Sequence, residues 1–164
     1  FIVLHSLAKY PAWQARAALT ATAQQLLQVG TGEGVNGWIP HTYGIIERYI
    51  PSQLKPMRAA HQQRWQLDFT AINYVHVPVA LASMLWVVIL FVHGLRRRPL
   101  DDLTLLAGTV SFALLGNAFI CAVISGPHDR YGARMAWLAT TVVLIASVRR
   151  FAGEEAPRER SLPP

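Results

Sequence analysis

Charge is scarce in this 164-residue sequence. Asp, Glu, Lys and Arg make up 15% of it, against roughly 25% in an ordinary soluble domain. The shortage is concentrated in two places. Residues 69–95 form an uncharged run of 27, and residues 103–128 an uncharged run of 26. A membrane-spanning helix needs about 20 predominantly apolar residues, so either run is long enough. Cysteine is nearly absent. Cys121 alone excludes an intrachain disulfide, and inside an apolar run it reads as a small buried hydrophobe. Acids are scarcer than bases, 9 against 15, which leaves a net charge of +6. Such a balance can signal nucleic-acid binding, but here the basic residues flank apolar runs, where anchoring and topology account for them. These shortages exclude a freely soluble globule, a disordered tail and a disulfide scaffold, and no nucleic-acid partner is expected.

What is present predicts an all-α integral membrane protein, with three transmembrane helices preceded by an extracytoplasmic region of short helices. The spans are expected at about 72–95, 103–124 and 131–148. Pro78 lies near the start of the first, where a helix tolerates proline, and Arg96-Arg97-Arg98-Pro99 stops it. Asp101 and Asp102 suit the N-terminus of the second, where carboxylates cap and offset the helix dipole. The third is the shortest. Only residues 135–148 are strictly uncharged, so Arg134 must snorkel or find a partner. The arginines at 96–98 and 149–150 then share one side. Counting positive charge places them in the cytoplasm of a bacterial inner membrane, with residues 1–70 and the 125–134 loop outside. Residues 152–164 read as a disordered cytoplasmic tail. Residues 1–4 read as the end of a preceding apolar segment, so the chain is expected to be the C-terminal portion of a longer protein.

The outer segment reads as helices and loops. Residues 11–29 are rich in Ala, Gln and Leu, with Pro11 in a first-turn position. Gly30-Thr31-Gly32-Glu33-Gly34 ends that helix as a plain flexible linker, since no Lys-Ser/Thr follows to make a phosphate loop. Residues 42–50 carry Tyr43, Ile45, Ile46, Tyr49 and Ile50 and suit the membrane interface. A further helix from Pro51 is expected to align Leu54, Met57, His61 and Trp65 in one stripe.

The densest polar group is Ser125-Gly126-Pro127-His128-Asp129-Arg130-Tyr131-Gly132-Ala133-Arg134. On a helix Arg130 and Arg134 share a face, and two guanidiniums there make a phosphate or pyrophosphate clamp. His128 suits acid, base or phosphate contact, and Asp129 can pair with either arginine. The competing reading is a turn capped by Asp129, with Arg and Tyr as interfacial anchors. The six histidines have no i,i+3 or i,i+4 spacing and no accompanying carboxylate cluster, so neither a metal site nor a cofactor is expected. Gly108, Ser111, Gly116 and Asn117 suggest a helix-packing face with interhelical hydrogen bonds.

His128-Asp129-Arg130-Tyr131, followed by Arg134, Trp137 and a closing apolar helix, resembles the C-terminal end of uncharacterised bacterial multi-spanning membrane proteins. More loosely it resembles the late region of polyprenyl-phosphate-dependent GT-C glycosyltransferases. There an Arg-Tyr pair opens an outer-face helix, and Arg130 and Tyr131 are the positions that match. Gly132-Ala133-Arg134-Met135 stands where that pattern has a proline. The resemblance implies a many-helix membrane bundle acting on a lipid-linked phosphate sugar and carries over Arg130 and Tyr131 alone; together with the clamp read from the residues, the expected lipid-phosphate group is His128, Asp129, Arg130, Tyr131 and Arg134. The alternative expectation is a non-catalytic subunit of a membrane complex, partnered by other membrane subunits as well as by the lipid bilayer.

Overall fold

The computed structural model describes residues 2–37, 40–97 and 99–152. Their regular elements are all helices, with no strand among the described residues. Three helices are long and apolar enough to cross a membrane: α5 (Thr70–Gly94), α6 (Asp102–Ser125) and α7 (Asp129–Phe151). Before them come α1 (Ile2–Lys9), α2 (Pro11–Leu27), α3 (Pro40–Tyr49) and α4 (Leu54–Ala59). The Arg158/Arg160 tail and Arg98 lie outside the described residues.

The three long helices match the hydropathy runs, and their ends follow local chemistry. Asp101 caps α6, its carboxylate accepting the Thr104 N–H at 2.7 Å. Hydrogen bonds from the Thr104 side chain and backbone hold the Asp101 carboxyl below its ordinary value. Gly126 ends α6 in left-handed backbone (φ 86°), its N–H bonded to the Ala122 carbonyl. The third span is longer than its uncharged stretch predicts. α7 takes in Asp129, Arg130 and Arg134 at one end and Arg149 and Arg150 at the other.

α5, α6 and α7 pack against one another around a core of small and branched residues: Val87, Ala107, Val110, Leu114, Ala139 and Val142. Among spans, attraction comes from close packing and interhelical hydrogen bonds rather than from expelled water. Both occur here. Gly108 brings α6 against the Phe91 ring, which meets Phe112 edge-on at 5.8 Å. Thr140 Oγ1 donates to Ser83 Oγ across α7 and α5 at 3.3 Å. Gly108 and Asn117 thus serve the packing face read from sequence, Asn117 through the Tyr131 carbonyl. Gly116 does not, since nothing lies within 4 Å of where its Cβ would be. Ser111 Oγ is buried without a partner among the described residues.

Two features depart from the sequence reading. α2 does not stand apart from the spans but packs along α6. The expected helix after Pro51 is broken into a 3-10 turn (Pro51–Gln53), α4 and a second 3-10 turn (His61–Arg64). Ala60 is extended between them and Trp65 is left-handed (φ 57°), so Leu54, Met57, His61 and Trp65 do not form one stripe.

Where α5 begins and α7 begins, the bundle is closed by residues 28–37; this is called the cap end below. Val29 fills a small core with Ala80 and Ala136. Gly132 lets the chain close there, because a Cβ on it would run into the Gln28 carbonyl oxygen. Gly132→Ala is expected to lower the thermal midpoint in detergent, with an overpacking cost of about 1–3 kcal/mol. Gly116→Ala, facing open space, is expected to hold or raise it, since alanine exceeds glycine in a helix by about 1 kcal/mol. Equal midpoints for the two variants would contradict the close approach.

Candidate functional site

The polar group singled out in the sequence gathers at the cap end, but its partners come from the other end of the chain. Backbone groups in an apolar setting must be satisfied internally, and the start of α7 meets this demand with residues 25–33. Gln25 is buried. Its Oε1 accepts the His128 N–H at 2.8 Å, and its Nε2 donates to the His128 carbonyl at 2.9 Å. One amide side chain thus pairs with the backbone just ahead of α7 as a neighbouring strand would.

The glycine-rich segment is a docked loop, not the plain linker expected. Val29 O is bonded to His76 Nε2 at 3.0 Å, and Gly30 N–H donates to Asp129 Oδ1 at 2.8 Å. Thr31 exchanges two hydrogen bonds with the Asn73 side chain, at 2.8 and 2.9 Å. Gly32 (φ 100°) and Gly34 (φ 74°) flank Glu33 in left-handed backbone, which glycine adopts without steric cost. Glu33 reaches α7 from this turn. Its Oε1 lies 2.6 Å from His128 Nδ1, and its Oε2 accepts the Arg130 N–H at 3.0 Å. His128, the residue at the cap position, makes no side-chain capping bond. Glu33 supplies that anion instead, at the helix end that favours negative charge.

The remaining members form a second, more open group. Tyr131 Oη lies 2.8 Å from Ser125 Oγ and accepts from Arg130 Nη2 at 3.2 Å. The Arg130 guanidinium sits 5.0 Å over the Tyr131 ring, and the His128 ring meets that ring edge-on at 5.8 Å. Arg130 and Arg134 are both exposed and one turn apart on α7, as their spacing predicts. Asp129 pairs with neither. Its carboxylate is taken by Gly30, and the one ion pair among the described residues is Glu33–His128.

Sequence reasoning placed His128, Asp129, Arg130, Tyr131 and Arg134 together, and all five lie at the start of α7. It missed Gln25 and Glu33. Glu33 left one signal, being the sole acid in the first 46 residues. The other histidines stay apart: His76 serves Val29, His61 lies 2.9 Å from Gln66 Oε1, and His93 lies 3.2 Å from Arg97 Nη2. No three His, Cys, Asp or Glu side chains converge among the described residues. Comparison with protein-family models, curated proteins and solved structures gives no match.

Burial pushes the Glu33 carboxyl up. The Arg130 N–H, the His128 hydrogen bond and the charges of His128 and Arg130 outweigh it and hold the group below 4.5. A carboxyl held low adds stability that is present above its ordinary value and lost as pH falls through the depressed one. Hydrogen exchange over residues 30–36, corrected for intrinsic pH dependence, is therefore expected to be slow at neutral pH and to accelerate below 4.5. In Glu33→Ala it is expected to be fast already at neutral pH. Wild-type protection in that variant would show that Glu33 does not pin the loop.

Proposed function

We propose that Arg130 and Arg134 hold the phosphate of a lipid headgroup at the outer face of a bacterial inner membrane. In this reading the chain is the C-terminal portion of a multi-spanning protein, and the reaction class is glycosyl transfer from a lipid-linked phosphate sugar. The observation that carries the reading is how the nearby acids are used. Glu33 and Asp129 are both committed to loop 30–33 and the start of α7. Two exposed guanidiniums on one helix face are thereby left without a carboxylate partner among the described residues, beside an apolar span. Arginine binds phosphate oxygens in a bidentate fork, and a lipid phosphate lies at the depth where such a helix leaves the hydrocarbon. Tyr131 stacks under Arg130 and fixes its plane, while His128 keeps Nε2 for a phosphate oxygen. The likeness of Arg130-Tyr131 to the outer-face pair of lipid-phosphate-dependent transferases agrees with this assignment.

The double variant Arg130→Ala/Arg134→Ala is expected to weaken binding of a fluorescent phosphatidic acid to the purified chain at least about tenfold, the loss of one charge-assisted contact. Its thermal midpoint is expected to stay unchanged, and the double lysine variant to bind with intermediate strength. Unchanged binding by a folded double-alanine variant would exclude the clamp. The non-catalytic subunit reading is favoured by a different observation, the large side chains such as Trp86, Phe112 and Trp137 exposed on the spans. It predicts a stable partner whose co-isolation survives the same double variant.

Orientation follows from positive-inside counting over the 96–102 loop and residues 149–150. In a Cys121→Ser background, Arg64→Cys is expected to react with an impermeant maleimide from the periplasmic side. Reaction only from the cytoplasm would invert the assignment.

A further inference from the structure

The cleft between α1–α2 and α6 lies apart from the arginine site. We propose that it holds a hydrocarbon chain of a bilayer phospholipid, so that α2 is bathed by the membrane rather than standing in water outside it. The inference does not rest on the headgroup reading above.

The course of α2 is the first support. Gln25 bonds to His128, three residues past the end of α6. Toward Pro11, α2 shares its cleft with Phe119, Ala122 and Val123, inside α6. These three residues lie within six positions of the Ser125 end of α6, so α2 lies beside the end of the apolar span. Helical bonding also continues beyond Pro11. Tyr10 N–H donates to Ser6 O at 2.9 Å and Gln14 N–H to Tyr10 O at 3.1 Å, so helical bonds flank the proline. α1 and α2 are thus joined at a break, Tyr10 lying outside helical backbone (φ −132°, ψ 52°).

Some polar side chains of α2 are bonded as an apolar medium demands. Gln14 Nε2 donates to Ser6 Oγ at 2.9 Å across the break, and Thr22 Oγ1 to the Ala18 carbonyl at 2.7 Å. Both ends of the Gln25 amide are used on His128. Among the residues α2 exposes are Trp13, Leu19 and Leu27, each about 70% accessible, beside Gln14, Arg16, Thr20 and Gln24. Arg16 is its one charge, and Lys9 ends α1 just before it. Side chains on a helix tilt toward its N-terminus, so Arg16 leans toward Lys9, whose ammonium sits 5.4 Å from the Tyr10 ring. That basic and aromatic group, with Trp13, matches the belt found where a helix meets the membrane surface.

The cleft has a volume of about 640 Å³, within the ~300–1,000 Å³ of ligand sites. Ala15, Ala18 and Leu7 form one wall, and Phe119, Ala122 and Val123 the other. The short alanines are what leave the gap. An ordered water needs two to four polar partners, and the one polar side chain here, Gln14, already donates to Ser6. An empty gap would forfeit dispersion contacts along both walls. Because α6 is a membrane span, the medium around it supplies the filling: an acyl chain.

The test uses the full chain in phosphatidylcholine nanodiscs carrying a phosphatidylcholine with a diazirine in mid-chain, with cross-links mapped by mass spectrometry. Residues 15–18 and 119–123 are expected to be labelled well above the exposed α5 positions Leu85 and Ile89. Ala15→Trp, which fills the cleft from an exposed position, is expected to cut cleft labelling about tenfold, as displacing two methylene contacts would, and to leave α5 labelling unchanged. Cleft labelling no higher than that of α5, or unmoved by Ala15→Trp, overturns the proposal. A second measurement needs no folded cleft variant. In a Cys121→Ser background and sealed vesicles, Leu19→Cys is expected to resist an impermeant maleimide that labels Arg64→Cys. Equal reactivity at the two positions overturns the proposal as well.

Discussion

Backbone entering the end of an apolar bundle must find its hydrogen bonds inside the protein. The whole cap end is organised by that demand. Residues 25–33 thread past α5 and α7, and nearly every step is tied: Gln25 to His128, Val29 to His76, Gly30 to Asp129, Thr31 to Asn73, Glu33 to His128 and Arg130. Small residues make the approach close enough, above all Gly132 beneath Gln28. The same demand explains the distribution of charge. The acids are drawn inward to satisfy backbone donors and an imidazole, and the guanidiniums are left facing out. An exposed basic face on α7 is thus a by-product of how the loop is held, and it is the feature on which a phosphate-binding role depends.

The spans were legible because hydropathy over some twenty residues integrates a strong signal, one that no single substitution erases. The third was underread because its ends carry Asp129, Arg130, Arg134, Arg149 and Arg150, and a charge count stops where a helix need not. Asp101 was legible as a cap because capping is local: the residue, the bond and the helix end lie within three positions. The pairing of Arg130 with Arg134 on one face followed from helical period alone. Glu33 and Gln25 were not legible as site residues. Their partners lie 95 to 103 positions away, and neither spacing nor composition encodes such a contact. Gly-Thr-Gly-Glu-Gly has the composition of a linker, and composition cannot report that Gly30, Thr31 and Glu33 are docked. The packing of α2 was hidden for a related reason, since its contact face is built from Ala, Thr and Gln, which no hydropathy pattern marks as buried.

The two readings of function meet at the same end of the molecule yet ask different things of the lipid. The arginine pair addresses a headgroup, and the α2–α6 cleft addresses a chain. The two share no residue, the cleft being lined from Leu7 to Ala21 and by Phe119, Ala122 and Val123, and the open group being built from Ser125, Arg130 and Tyr131.

The length of the chain between partners has a consequence for how the protein is made. Gln25 and Glu33 leave the ribosome roughly a hundred residues before His128 and Arg130 exist to receive them. Until the last helix is in place, loop 28–33 has no α7 to close on, and Glu33 is an unpaired acid at the membrane surface. The final helix is therefore the keystone of assembly. A chain that stops after α6 would keep two good spans and still lack a finished cap end.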